Sequence, residues 1–114
     1  MRALFTELLS FQVRPDRTEE FEALFGELRA EMAAQPGCLG VRACKRFYTF
    51  DGVERSAPPR ELTRAVKCVR YFAWWEFGSV EDCGMAAGWL FDRYEKKLSR
   101  LLIQPFSIDS GYSL

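Results

Sequence analysis

The run Ala65-Val66-Lys67-Cys68-Val69-Arg70-Tyr71-Phe72-Ala73-Trp74-Trp75-Glu76-Phe77 decides the fold. Read as a strand, it sends Val69, Tyr71, Ala73, Trp75 and Phe77 to one side and Val66, Cys68, Phe72 and Trp74 to the other, because successive side chains of an extended chain alternate. Only Lys67, Arg70 and Glu76 interrupt two apolar faces. A sheet with one face in water does not tolerate that pattern, so this strand must be covered twice.

Upstream, Asp51-Gly52 signals a turn and Pro58-Pro59 forbids regular pairing, so residues 51–64 read as a long polar loop. Its mixed acids and bases (Asp51, Glu54, Arg55, Arg60, Glu61, Arg64) fit a solvated connection, with a lid over a pocket as the sharper alternative. Before the loop, Cys38 to Phe50 reads as a strand with Leu39, Val41, Ala43 and Phe47 on one side. A helix precedes it. Asp16 is the expected N-cap with Glu19 three residues on, the apolar stripe is Phe21, Leu24, Phe25, Leu28 and Met32, and Pro36-Gly37 is the stop. The first strand runs Ala3 to Arg14, with Phe5, Leu9, Phe11 and Val13 on one parity and Glu7 interrupting them. Leu4, Thr6, Leu8, Ser10 and Gln12 take the other parity.

Downstream, Ser79 is a candidate N-cap for a second helical region. Its broad face is Val80, Cys83, Ala87, Leu90, Phe91, Tyr94, Leu98, Leu101 and Leu102. Gly84 and Gly88 each cost about 1 kcal/mol inside a helix, so a break is expected between them. Such a break lets Trp89 turn inward; on a continuous helix it would sit beside Arg93 and Lys96, unless it contacts a partner chain. Gln104 to Leu114 is the last strand.

The order β-α-β-β-α-β belongs to the α+β class and predicts a ferredoxin-like sandwich, an antiparallel sheet with both helices on one side. The expectation is a single domain over residues 1–114. Two helices shield one sheet face, which leaves Leu4, Leu8, Phe72 and Trp74 unburied, and each large side chain is worth about 1.5–3 kcal/mol when buried. A second copy packing sheet on sheet is the simplest cover, so a homodimer is expected.

Composition narrows the chemistry. The 114 residues hold 16 Lys plus Arg against 16 Asp plus Glu, without the basic excess of a nucleic-acid binder. The sequence has no histidine, which removes imidazole-based nucleophile systems and metal or haem sites that need imidazole. Cys38, Cys44, Cys68 and Cys83 form no CxxC pair and read as small apolar residues, with a Cys44–Cys68 bridge as the alternative. No secretory signal precedes Phe5 and no apolar run reaches about 20 residues. A cytoplasmic protein without membrane or nucleic-acid partners is therefore expected.

Several motifs together resemble the antibiotic-biosynthesis monooxygenase (ABM) domain. They are Val13-Arg14-Pro15-Asp16 with Glu19-Glu20-Phe21, then Gln35-Pro36-Gly37-Cys38-Leu39-Gly40, and the strand ending Tyr71-Phe72-Ala73-Trp74-Trp75-Glu76. The resemblance implies a dimeric α/β barrel, in agreement with the homodimer expected from coverage. It also implies cofactor-independent oxidoreductases that join dioxygen to quinols, anthrones and related aromatics, alongside haem-degrading members. Haem degradation fits poorly, since Leu9 stands where those members carry asparagine and their histidine has no counterpart.

Oxygenation without metal or flavin requires a site that holds an aromatic ring, favours its anion and excludes water. The helix-facing side of the sheet is expected to carry Glu7, Leu9, Tyr71 and Trp75. Glu7 is the candidate proton acceptor, Trp75 a stacking or N–H-donating group, and Tyr71 an oxyanion donor. Leu9, Trp89 and Tyr94 are the candidate substrate walls. The alternative reading makes these aromatics ordinary core, Glu7 a solvated or paired carboxylate, and the protein a non-catalytic dimeric binding or structural module.

Overall fold

The computed structural model describes residues 4–62 and 67–114. β1 (Phe5–Val13) buries Glu7, Leu9, Phe11 and Val13, the parity read from the sequence. Pro15 then opens a 3-10 turn (Pro15–Arg17) closed by the Arg17 N–H donating to the Arg14 carbonyl at 2.9 Å. Asp16 is consumed in that turn. α1 (Thr18–Ala33) therefore starts one residue later than expected, with Arg17 at its cap position and no side-chain cap. Phe21, Phe25, Leu28 and Met32 are its buried stripe, and Leu24 is partly buried at its edge.

Gly37, at φ +82°, reverses the chain in a region that side-chain-bearing residues rarely adopt, and a Cβ there would run into the Asp82 carboxylate. β2 (Cys38–Lys45) carries a bulge. Cys38 pairs with Phe77 and Gly40 with Glu76, which leaves Leu39 as the extra residue. The bulge turns Leu39 outward, 61% exposed, whereas Val41 and Ala43 face the core as expected. The strand stops at Lys45 rather than at Phe50. Tyr48–Thr49 (β3), the end of the expected strand, instead pairs with Arg60–Glu61 (β4), which lies inside the segment 51–64 that reads from sequence as a loop. Residues 63–66, including the expected strand start at Ala65, lie outside the described residues.

β5 (Val69–Phe77) pairs with β1 along its whole length, from Phe5–Phe77 to Val13–Val69. Ser79 caps α2 (Val80–Ser99), its hydroxyl accepting from the Asp82 N–H at 3.1 Å. α2 is continuous, without the expected break. Gly84 and Gly88 lie on its exposed side, and burial of Cys83, Ala86, Leu90, Tyr94 and Leu98 offsets their helix penalty. The buried stripe is rotated from the expected one. Ala86 takes the place of Ala87, while Val80 and Phe91 are exposed. β6 (Ser107–Tyr112) pairs with β1, giving an antiparallel sheet in the order β2-β5-β1-β6. This is the α+β, ferredoxin-like arrangement.

Both helices contribute to one core on the Glu7–Trp75 face of the sheet. On the other face Leu8, Phe72 and Trp74 are only half-buried, with exposed Arg42 lying over the Trp74 ring at 5.9 Å. The four cysteines are free, and Cys44 is exposed rather than buried.

Candidate functional site

β1 places Glu7 at the middle of the sheet, opposite Trp75 on β5 and Ser110 on β6. Its parity sends the carboxyl group under α2, where Cys83 is its side-chain partner. The residue is 3% exposed, and Oε2 is buried with no hydrogen-bond partner among the described residues. An ionised carboxylate there is poorly solvated, so burial pushes the Glu7 pKa up, with the Cys83 hydrogen bond opposing the shift. Burial and the neighbouring Glu7 together push the Cys83 thiol up to about 12, so it stays protonated as a donor. Leu9, fully buried two residues along β1, continues the same apolar wall.

Trp75 is fully buried, and its indole N–H donates to the Met32 carbonyl at 3.1 Å. The donor considered for a substrate oxygen is thus engaged by the last turn of α1. The ring packs against Phe77 at 4.9 Å and edge-on to Trp89 at 6.3 Å. Trp89 in turn meets Tyr94 edge-on at 5.7 Å. The inward turn of Trp89 therefore needs no helix break: the indole sits at the margin of the buried stripe and is long enough to lap over it. Tyr94 donates its hydroxyl to Glu31, and burial together with that carboxylate pushes its pKa up to about 12. Glu7, Trp75, Trp89 and Tyr94 form a continuous line from the interior to the α1–α2 seam, with Leu9 beside its inner end.

Tyr71 lies apart, four residues from Trp75 on the same strand, roughly 13 Å at the usual strand rise. Its hydroxyl donates to Glu22 at 2.6 Å, and Glu22 pairs with Lys45 at 2.9 Å. These two donors hold the Glu22 carboxyl below the usual range, whereas burial and Glu22 raise the Tyr71 phenol. Sequence periodicity finds Cys83 on the inner stripe but not its pairing with Glu7. The Tyr–Glu pairs depend on where α1 lies over the sheet, which no local pattern encodes.

Two cavities touch the predicted residues. A groove of about 480 Å³ runs along α2 beside Gly84, Gly88 and Trp89, with Met85, Asp92 and Arg93 on its rim. A cleft of about 230 Å³ lies at Tyr71, Glu22, Arg29 and Lys45. Neither is lined by Glu7 or Trp75. Among the described residues no group of three or more metal-ligating side chains occurs, and no helix is long and apolar enough to cross a membrane.

Comparison with known proteins agrees with this architecture. Residues 4–51 match the family model for antibiotic biosynthesis monooxygenase. No curated protein sequence matches the chain. Among solved structures, a protein titled "putative antibiotic biosynthesis monooxygenase" from Nitrosomonas europaea superposes with a TM-score of 0.71 at 11% identity, covering 100% of this chain and 93% of its own. A protein of the same title from Caulobacter crescentus CB15 gives 0.69 at 18% identity, with 99% and 92% covered. A dimeric ferredoxin-like protein from an uncultured marine organism gives 0.63 at 12%, with 98% and 96% covered. At these identities the superpositions speak for the fold, and the family match covers residues 4–51. Residues 4–51 are thus similar to the antibiotic biosynthesis monooxygenase family, and the chain as a whole shares the fold of these solved structures.

Proposed function

We propose that the chain, acting as one domain in a homodimer, is a cofactor-independent monooxygenase of a small electron-rich aromatic or quinol-like substrate. The observation that carries this reading is Glu7, a carboxyl group buried under α2 with an oxygen that no donor among the described residues satisfies. A buried acid with a raised pKa is a stronger base than a surface carboxylate, which suits proton abstraction near neutral pH. The substrate ring docks in the groove at Trp89, and a rotamer change of that indole opens the way to Glu7.

On an anthrone-type substrate, Glu7 takes one proton from the methylene carbon. The carbanion passes an electron to dioxygen, and the radical pair joins to a peroxide that takes the proton back from Glu7. Loss of water leaves the carbonyl. One oxygen atom ends in the product and one in water, and the substrate supplies all four electrons.

A specific observation favours the second reading, a non-catalytic dimeric binding module. The Trp75 N–H and the Tyr71 and Tyr94 hydroxyls all donate within the protein. Oxygen uptake with a panel of quinols and anthrones separates the two. Uptake above autoxidation that collapses in Glu7→Gln is the expected result. Uptake at the autoxidation rate for every substrate selects the binding module instead.

A further inference from the structure

The outer face of the sheet, left open by both helices, carries a patterned row of side chains. Residues directly opposite in paired strands share a face, so Arg42 on β2, Trp74 on β5, Leu8 on β1 and Asp109 on β6 stand in one line across the sheet. Trp74 and Leu8 at its centre are half-buried, while Arg42 and Asp109 at its two ends are exposed. The next row is Gly40, Glu76, Thr6 and Gly111, with a glycine at each end. β2 and β6 are the two edges of the sheet, three strand spacings or about 14 Å apart. Arg42 and Asp109 are therefore too far apart to pair within one chain, and among the described residues neither has an ion-pair partner.

Two kinds of twofold axis stack such sheets face to face with their strands aligned, one parallel to the strands and one across them. An axis parallel to the strands, between β5 and β1, carries β2 over the partner's β6. It sets Arg42 against the partner's Asp109 and Trp74 against the partner's Leu8, each twice by symmetry. It also sets Glu76 against the hydroxyl of the partner's Thr6, and Gly40 against the partner's Gly111, where no side chain holds the sheets apart. An axis across the strands lays β2 on β2 and β6 on β6, which brings the two arginine edges together and the two aspartate edges together. Aligned sheets cross at about −30°, which displaces edges about 7 Å from the axis by about 4 Å, within the reach of an arginine side chain.

We propose that the second copy docks on this face about a twofold axis parallel to the strands, held in that orientation by two symmetric Arg42–Asp109 ion pairs between chains. The inference rests on the homodimer reading and adds the residues that set how the two copies face each other. Chemistry at Glu7 plays no part in it. Charges at the rim of an interface fix register and partner choice more than raw affinity, and these pairs flank the apolar centre rather than fill it.

Sedimentation equilibrium of the full chain at low salt tests it. The parent is expected to dimerise. Arg42→Asp and Asp109→Arg should each weaken the dimer about tenfold, because two attractive pairs become two like-charge pairs. The double variant Arg42→Asp/Asp109→Arg should recover the parent's dimer affinity. Lys96→Asp, the same charge change on the exposed side of α2, should leave the dimer unchanged. Added salt should narrow the gap between the parent and the single variants. A parent dimer indifferent to both single substitutions, or a double variant that dimerises no better than they do, overturns the orientation and leaves the homodimer standing. Weakening by Lys96→Asp as large as that by Arg42→Asp overturns the orientation as well. A parent that sediments as one chain at every concentration overturns this proposal and the homodimer reading together.

Discussion

Replacing Glu7 by leucine is expected to stabilise the fold while it removes the proposed base. Glu7 is 3% exposed and its Oε2 has no partner among the described residues. A buried polar atom without a partner costs about 1–3 kcal/mol, and leucine offers a similar volume without that atom. The weak Cys83 thiol donor lost in the exchange subtracts little. Glu7→Leu should therefore gain about 1–3 kcal/mol at pH 7. For a chain of this size each kcal/mol moves Tm by roughly 3–6 °C, so the variant melts several degrees higher.

The pH dependence fixes the sign. Burial raises the folded-state pKa of Glu7 above its unfolded value, so the folded protein holds that proton more tightly. The contribution of Glu7 to stability is complete below the ordinary carboxylate range and is lost as pH rises through the raised folded value. Leucine carries no proton, so the advantage of the variant grows across that window by about 1.4 kcal/mol for each unit between the two pKa values. Above the folded value it levels off. Urea unfolding of both proteins from pH 4 to 8 reads this difference directly, and the other titrating groups cancel in it. A leucine variant that is less stable at every pH, or a gap that does not change with pH, would refute the reasoning.

Three further outcomes follow from the packing. Trp75→Phe removes the indole N–H bond to Met32 and leaves space in a fully buried site, so denaturant unfolding should show a loss of about 1–3 kcal/mol. Gly84→Ala places its Cβ in open space on a continuous helix and should gain about 0.5–1 kcal/mol in the same assay, whereas a broken helix would give no gain. Trp74→Glu puts a charge on the half-buried outer sheet face and should convert a particle of twice the 13.2 kDa chain mass to a single chain in sedimentation equilibrium.

The sheet was legible because its signal is binary. Strand parity assigned Glu7, Leu9, Tyr71 and Trp75 to one face, and the register of β1 with β5 places them there. The errors have separate physical causes. Leu39 was misplaced because one bulged residue reverses parity without altering composition. The cost of two glycines predicts a break in α2, and tertiary burial of five neighbouring side chains outweighs that cost. Asp16 has the chemistry of a cap, but Pro15 fixes the preceding backbone and the 3-10 turn takes the aspartate first. For the site, residue types could be found but partners could not. That Trp75 donates to Met32, or that Glu7 meets Cys83, depends on how the helices lie across the sheet.

The most direct measurement is the titration of the Glu7 carboxyl itself. Carbon-13 NMR of glutamate-labelled protein, with the Glu7 resonance assigned by its disappearance in Glu7→Gln, gives the midpoint without reference to any substrate. A midpoint displaced above about 4.3, the ordinary glutamate value, is the predicted result. A midpoint at or below that value would mean that Glu7 is solvated or paired, and the proposed base would be lost.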